Sequence, residues 1–136
     1  MHIELTDRKI GSEEALRMLS TDAAGAAVTF SGIVRPLEGG ASIEKLHYEH
    51  YPGMAEKIIR GIVEEAVAAH GLTDAVVIHR IGDVPAGEES VVVAVSAGHR
   101  REAFEGCSQI MDRIKSEVPI WKKDIGERTQ WQSERK

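Results

Sequence analysis

The chain has 136 residues, a formal net charge of −5 and one cysteine. At this length one domain can bury most of its apolar surface without disulfides or a structural metal, and the 42% hydrophobic and 29% charged content is that of a globular protein. The acidic balance argues against a nucleic-acid binder, and neither a membrane-spanning run nor a secretory signal is visible. We therefore expect a single domain over 1–136 with no nucleic-acid or membrane partner, in a reducing cytoplasm that suits a lone cysteine.

A short helix and two strands are predicted for the first 51 residues. The helix starts at Ser12, where a hydroxyl side chain precedes two glutamates. Its apolar side comprises Ala15, Leu16 and Leu19. Residues 25–34 are small and β-branched and predict a strand, whereas the proline and paired glycines of 35–40 predict a loop. Residues 42–51 alternate between apolar and polar side chains, which predicts a half-exposed strand.

Two helices and two buried strands are predicted for the rest of the chain. The first helix follows a Pro-Gly pair and ends at Gly71, and its inward residues are expected to be Met54, Ile58, Ile62, Ala66 and Ala69. The nearly continuous apolar runs 75–81 and 90–97 are typical of strands covered on both faces. The last helix is predicted over 101–117, with Ala103, Phe104, Cys107, Ile110, Met111 and Ile114 facing inward. Everything after it is expected to be irregular or short, so the order α-β-β-α-β-β-α describes an α+β domain.

Positive charge is concentrated at the end of the chain. Residues 113–136 hold seven Lys or Arg against four acids, which could form a solvated tail or an anion site. Within this segment Lys115 and Lys122 lie seven residues apart, and Lys115 shares a helical stripe with Met111 beside the buried face. A lysine whose stem lies on apolar surface suits proton transfer or nucleophilic attack. The alternative is a surface lysine that only covers the end of the core.

Two further segments could bind an anion. Residues 98–102 lie where a strand ends and a helix begins, so free backbone N–H groups would meet the side chains of His99 and Arg100. Arg35 starts a glycine-containing loop, and Gly32 just before it allows another group to approach closely. Ordinary helix-start chemistry and a surface arginine at a strand end remain open as alternatives.

Metal and thiol chemistry are not expected. His47 and His50 lie three apart on a strand and therefore point to opposite faces. His79 and His99 lack a carboxylate or cysteine at a recognised metal-ligand spacing. Cys107 lies on the inward side of a helix, where cysteine usually packs as a small hydrophobe. The sequence thus predicts no metal, no cofactor and an inert thiol.

Five stretches of the chain resemble the large, catalytic subunit of molybdopterin synthase, the MoaE family. They occur in the family's order, span about residues 25 to 135 and comprise 30–35 (FSGIVR), 49–54 (EHYPGM), 79–82 (HRIG), 99–104 and 111–123. The resemblance implies an α/β hammerhead with an additional antiparallel β-sheet. This fold is compatible with the α+β order above.

The resemblance also implies an activity. In this family a sulfurtransferase adds two sulfurs to cyclic pyranopterin monophosphate and so makes the dithiolene of molybdopterin. The sulfur arrives as a thiocarboxylate on the C-terminal Gly-Gly of a small ubiquitin-like subunit, whose tail threads into the active site. Two large subunits form a homodimer with one small subunit at each outer end, a heterotetramer. An enzyme supplied with sulfur in this way needs no cysteine of its own.

The resemblance carries site residues over by position. Lys115 and Lys122 match the two catalytic lysines, and Lys115 is expected to act as general acid/base or transient covalent partner. The substrate-binding set comprises both lysines with Ile33, Val34, Arg35, His99, Arg100, Lys123, Asp124 and Arg135. Asp124 departs from the family, in which glutamate is usual. Two other functions stay open: a non-catalytic anion-binding or regulatory domain that uses the same basic pocket, and a structural oligomer module.

Overall fold

The computed structural model describes residues 1–127 and 130–133. In these residues the chain forms three helices and nine strands. In chain order they are β1 (His2–Thr6), α1 (Ser12–Met18), β2 (Ala26–Ile33), β3 (Leu37–Glu38), β4 (Ala41–His50), α2 (Met54–His70), β5 (Leu72–Arg80), β6 (Gly82–Pro85), β7 (Glu89–Ala97), α3 (Arg100–Glu117), β8 (Ile120–Gly126) and β9 (Gln130–Ser133).

The first sheet has four strands in the order β1-β5-β7-β2. β1 runs parallel to β5, whereas β7 is antiparallel to both of its neighbours, β5 and β2. Helices α2 and α3 pack on one face of this sheet, against side chains such as Val77 and Val93. Helix α1 packs on the opposite face, against Val76 and Val92. The prediction that the two apolar strands are covered on both faces is confirmed.

The second sheet is antiparallel and has the order β3-β4-β8-β9, with β6 also paired to β4. The short β3 folds back onto β4 through Gly39 and Gly40, whose φ angles of 57° and 83° lie in the left-handed region that glycine adopts without strain. The α+β class with an added antiparallel sheet is therefore confirmed.

Several local predictions are wrong. The chain after α3 is not irregular, because β8 pairs with β4 over seven register positions. The loop over 35–40 contains β3, and β1 and β6 were not expected. These strands are short or rich in charged residues and gain their stability from the neighbouring strand, a pairing that local pattern does not reveal.

The inward faces of the helices also differ from expectation. Leu16 is 44% exposed and Phe104 is 61% exposed, although both were expected to be buried. Met54 is exposed too, and the buried face of α2 comprises Ala55, Ile59, Ile62, Val63 and Ala66. Apolar residues cover more than one stripe of α2, so helical periodicity alone fits two adjacent faces.

Gly126 permits the close contact that ends β8. A Cβ atom at this position would lie 2.1 Å from the backbone oxygen of Ser42 and 3.0 Å from Cα of Ile43. We expect Gly126→Ala to lower the free energy of unfolding by about 1–3 kcal/mol, because the backbone of β4 must move. Gly61→Ala is the control, since a Cβ on that side of α2 meets nothing within 4 Å and a helical alanine should be neutral or stabilising by about 0.5–1 kcal/mol. Urea denaturation measures both, and equal stability of the two variants would contradict the prediction.

Candidate active site

A cleft of about 360 Å³ opens where the second sheet meets the end of α3. Its walls come from β2 and the two residues after it, β3, β4, the start of β7, the last turns of α3, and β8. The lining residues are Phe30, Gly32, Ile33, Val34, Arg35, Glu38, Ile43, Leu46, Tyr48, Ser90, Val91, Met111, Lys115, Lys122 and Asp124. Six of the predicted site residues thus lie in one cleft: Ile33, Val34, Arg35, Lys115, Lys122 and Asp124.

Gly32 shapes the entrance to this cleft. A Cβ atom on Gly32 would lie 2.8 Å from Cγ1 of Val91 on the neighbouring strand, so a larger residue here would force the Val91 side chain to move. The pairing of these strands shifts register between Gly32 and Ile33. Bulges of this kind redirect the chain. The chain then leaves the sheet and brings Arg35 to the cleft.

Lys115 lies in the last helical turn of α3, one turn after Met111. Its side chain is exposed, whereas Met111 and Ile114 beside it are buried. Lys115 lines both the cleft and an adjoining apolar groove of about 440 Å³, which also includes Phe30, Phe104 and Met111. The expected position of Lys115, beside apolar surface at the edge of the core, matches this arrangement.

Lys122 reaches the cleft because of the pleat of β8. In the pairing of β8 with β4, Lys122 lies opposite Tyr48 and Asp124 lies opposite Leu46, so the four side chains share one face of the sheet. Lys123 points to the other face, where its Nζ lies 5.5 Å from the ring centroid of Trp131. Lys123 is therefore not among the residues that line the cleft.

The cleft combines three cations with two acids. Arg35 is ion-paired to Glu38, with 2.7 Å between its Nη2 and Oε2 of the glutamate. Asp124 is buried. Within residues 1–127 and 130–133, the ammonium groups of Lys115 and Lys122 have no hydrogen bond or ion pair. Both lysines can therefore interact with an anionic ligand or exchange a proton with it.

His99 and Arg100 lie at the start of α3 and are exposed. Lys115 follows Arg100 by fifteen residues along the same helix, which corresponds to about 22 Å at 1.5 Å per residue. A single chain therefore does not bring His99 or Arg100 to the cleft. Arg135 lies outside the described residues.

The lone thiol is not part of the cleft. Cys107 is 4% exposed, and its burial raises the pKa of the thiol to about 11, so it stays protonated at neutral pH. In the part of the chain that the structure describes, no three His, Cys, Asp or Glu side chains are grouped to hold a metal ion. No helix among these residues is long and apolar enough to cross a membrane.

Sequence reasoning missed several residues of the cleft. Tyr48 lies in the strand predicted over 42–51, but nothing in the local pattern placed it opposite a lysine of another strand. Glu38 carried a usable signal, because it follows Arg35 by three residues in a segment that contains a glycine turn. Ser90 contributes a hydroxyl that donates to the backbone oxygen of Gly32 at 3.3 Å, a contact between strands distant in sequence.

Known proteins are similar to this chain in sequence and in fold. The family described as MoaE protein matches residues 5–117. A Thermoplasma volcanium protein named molybdopterin synthase catalytic subunit is 44% identical over 124 residues, which cover 91% of this chain and 90% of that protein. The crystal structure of molybdopterin synthase from Staphylococcus aureus superposes with a TM-score of 0.89 at 35% identity, covering 95% of both chains. A Helicobacter pylori chain, from a complex of subunits 1 and 2 of molybdopterin-converting factor, shares the fold at 24% identity, with a TM-score of 0.79 and coverage of 98% and 91%. This chain belongs to the MoaE family.

Proposed function

We propose that this chain is the catalytic subunit of a molybdopterin synthase, a sulfurtransferase that converts cyclic pyranopterin monophosphate to molybdopterin. The observation that carries the proposal is the cleft in which Lys115 from α3 and Lys122 from β8 lie beside Arg35. Three cations at one concave site suit a phosphorylated substrate. The membership of the MoaE family supports the same reaction.

The sulfur donor is a small ubiquitin-like subunit whose C-terminal Gly-Gly carries a thiocarboxylate. Its sulfur attacks a substrate carbon and forms a C–S bond in place of a C–O bond, whose oxygen is protonated and leaves. Water then cleaves the acyl–sulfur bond, so that the sulfur stays on the substrate and the carrier is released as a carboxylate. Both steps move protons and develop negative charge. Lys115 transfers the protons as general acid/base or forms a transient covalent bond. Lys122 and Arg35 stabilise the negative charge and hold the substrate anion, and the buried thiol of Cys107 is not needed.

We propose that the enzyme works as a homodimer within a heterotetramer. The length of α3 separates His99 and Arg100 from Lys115 by about 22 Å. If these residues belong to the substrate-binding set, as the family resemblance implies, they serve the cleft of a second copy. Arg135 is a further proposed contact of the bound substrate or carrier tail, with Asp124, Ile33 and Val34 completing the cleft wall. The proposed contact of Lys123 would have to come from the other face of β8.

We also propose that residues 1–136 act as one domain in the cytoplasm. Both sheets contribute to one core cluster with α2 and α3, which argues for a single unit. A protein with one free, buried cysteine suits a reducing compartment.

Reconstitution tests the proposed function. The chain is mixed with a thiocarboxylated small subunit and cyclic pyranopterin monophosphate, and mass spectrometry follows sulfur in the product. We expect incorporation of two sulfurs, and none when the carrier ends in an ordinary carboxylate. Binding of the pyranopterin without sulfur transfer from a charged carrier would instead favour the anion-binding or regulatory domain.

A further inference from the structure

We propose that Glu38 is a specificity-determining residue of the cleft, a built-in anion that occupies Arg35 until the anionic group of the substrate displaces it. The proposal deepens the proposed function and rests on the cleft binding a phosphorylated ligand. It concerns affinity and release of that ligand rather than the chemical steps.

The geometry of the hairpin supports this role. Glu38 and Arg35 both line the cleft, and their ion pair spans three residues of chain with 2.7 Å between Nη2 and Oε2. Glu38 is held in register with Ala41 by the pairing of β3 and β4. The two glycines of the turn fix that register. The carboxylate thus lies where a bound anion would meet the guanidinium.

The exposure of the pair makes it replaceable. The side chain of Arg35 is 71% exposed and that of Glu38 is 39% exposed. Exposed ion pairs contribute little net free energy because water and salt screen them. A phosphate with several acceptor oxygens that also meets Lys115 and Lys122 can therefore displace Glu38, whereas an anion that contacts Arg35 alone gains little over the carboxylate already present.

Displacement has a functional consequence. While Glu38 competes for Arg35, the cleft binds its anion less tightly than its three cations would allow. Removing the competing charge should therefore strengthen the binding of anions. The direction of the change in affinity separates the proposal from a purely structural role of Glu38. Loss of a hairpin contact would disorder Arg35 and weaken the binding of anions instead.

The test compares Glu38→Gln with Glu44→Gln. Glu44 lies on an exposed position of β4 outside the cleft, so its replacement removes the same charge from the protein without touching Arg35. Inorganic phosphate is titrated into each protein at low ionic strength and followed by ³¹P NMR. We expect Glu38→Gln to lower the Kd for phosphate by about three- to tenfold and Glu44→Gln to leave it within about twofold.

Two further measurements sharpen the result. Most of the gain in phosphate affinity caused by Glu38→Gln should disappear at high salt. The gain should also disappear when Arg35→Gln is combined with Glu38→Gln. In the reconstituted reaction, Glu38→Gln should lower KM for the pyranopterin by a similar factor.

Unchanged or weaker phosphate binding by Glu38→Gln would overturn the proposal, as would an equal gain in Glu44→Gln. The phosphate titration needs no turnover. A wild-type protein that fails to transfer sulfur would therefore contradict the proposed function, whereas the titration decides the role of Glu38 separately.

Discussion

Replacing Lys115 by alanine is expected to lower kcat for sulfur transfer by about 10²- to 10⁴-fold, the range typical for loss of a positioned general acid or base. Lys115 is an exposed residue of α3 whose ammonium group has no partner within the described residues, so its removal leaves no buried group unpaired. The free energy of unfolding should therefore change by less than about 0.5 kcal/mol. The measurement is single-turnover transfer from the thiocarboxylated carrier, with denaturation as the check on folding.

Lys57→Ala is the matched control for this prediction. Lys57 is likewise an exposed lysine on a long helix, but it lies in α2 outside the cleft, so its replacement should leave kcat within about twofold. If Lys115→Ala transfers sulfur at the wild-type rate, the central role assigned to Lys115 is wrong. A large rise in KM with unchanged kcat would reassign Lys115 to substrate binding.

Lys115→Ala also tests whether two copies of the chain share a site. If Arg100 serves the cleft of a second copy, then each active site takes Lys115 from one protomer and Arg100 from its partner. Random exchange between the two variants gives about half mixed dimers, each with one intact cleft, so about a quarter of wild-type activity should return. No recovery after verified exchange would contradict the assignment of Arg100 to the partner's cleft.

The sequence was informative where a pattern is local. Helical periodicity placed Lys115 beside Met111 at the edge of the core, and the continuous apolar runs of β5 and β7 predicted strands covered on both faces. Both features depend only on residues close in the chain. The ends of α2 and α3 were likewise marked by Gly71 and Pro119, which terminate helices by their own backbone preferences.

The cleft itself depends on pairings that no local pattern encodes. Lys122 lines it because β8 pairs with β4 in a register that sets Lys122 opposite Tyr48. A shift of one residue would have brought Lys123 to the cleft instead. No strand was predicted after α3, so the local pattern could single out Lys122 but could not say whether Lys122 or Lys123 faces the cleft.

The second large effect that we expect is acid destabilisation through His79. This residue of β5 is completely buried, and its desolvation lowers the pKa of the imidazole to about 4, with a smaller contribution from the charge of His50. The neutral ring can donate from Nδ1 to the backbone oxygen of Arg80 at 2.8 Å. It packs edge-on against Tyr48, with 5.3 Å between the ring centroids, and so supports a wall of the cleft from behind.

The direction of the pH effect follows from the two states of this group. In the unfolded chain His79 takes up a proton near pH 6.5, whereas in the folded protein it stays neutral down to about pH 4. Between these values the unfolded state binds more protons, so the contribution of His79 to stability is complete above pH 6.5 and is lost as the pH falls towards 4. A shift of this size corresponds to about 3 kcal/mol.

Carboxylates such as Glu4 and Asp83, whose pKa values are lowered by their cationic neighbours, also lose stabilising charge in acid, so the wild-type slope alone does not isolate His79. The comparison is therefore between wild type and His79→Gln, which cannot titrate. The variant should be less stable than wild type at pH 7.5. Between pH 7.5 and 4, however, its free energy of unfolding, measured by urea denaturation, should fall by about 3 kcal/mol less than that of wild type.

NMR of the wild-type imidazole provides a second measurement that does not require the variant to fold. An imidazole that protonates near pH 6.5 in the folded protein would contradict the prediction. It would mean that burial does not disfavour the charged ring of His79.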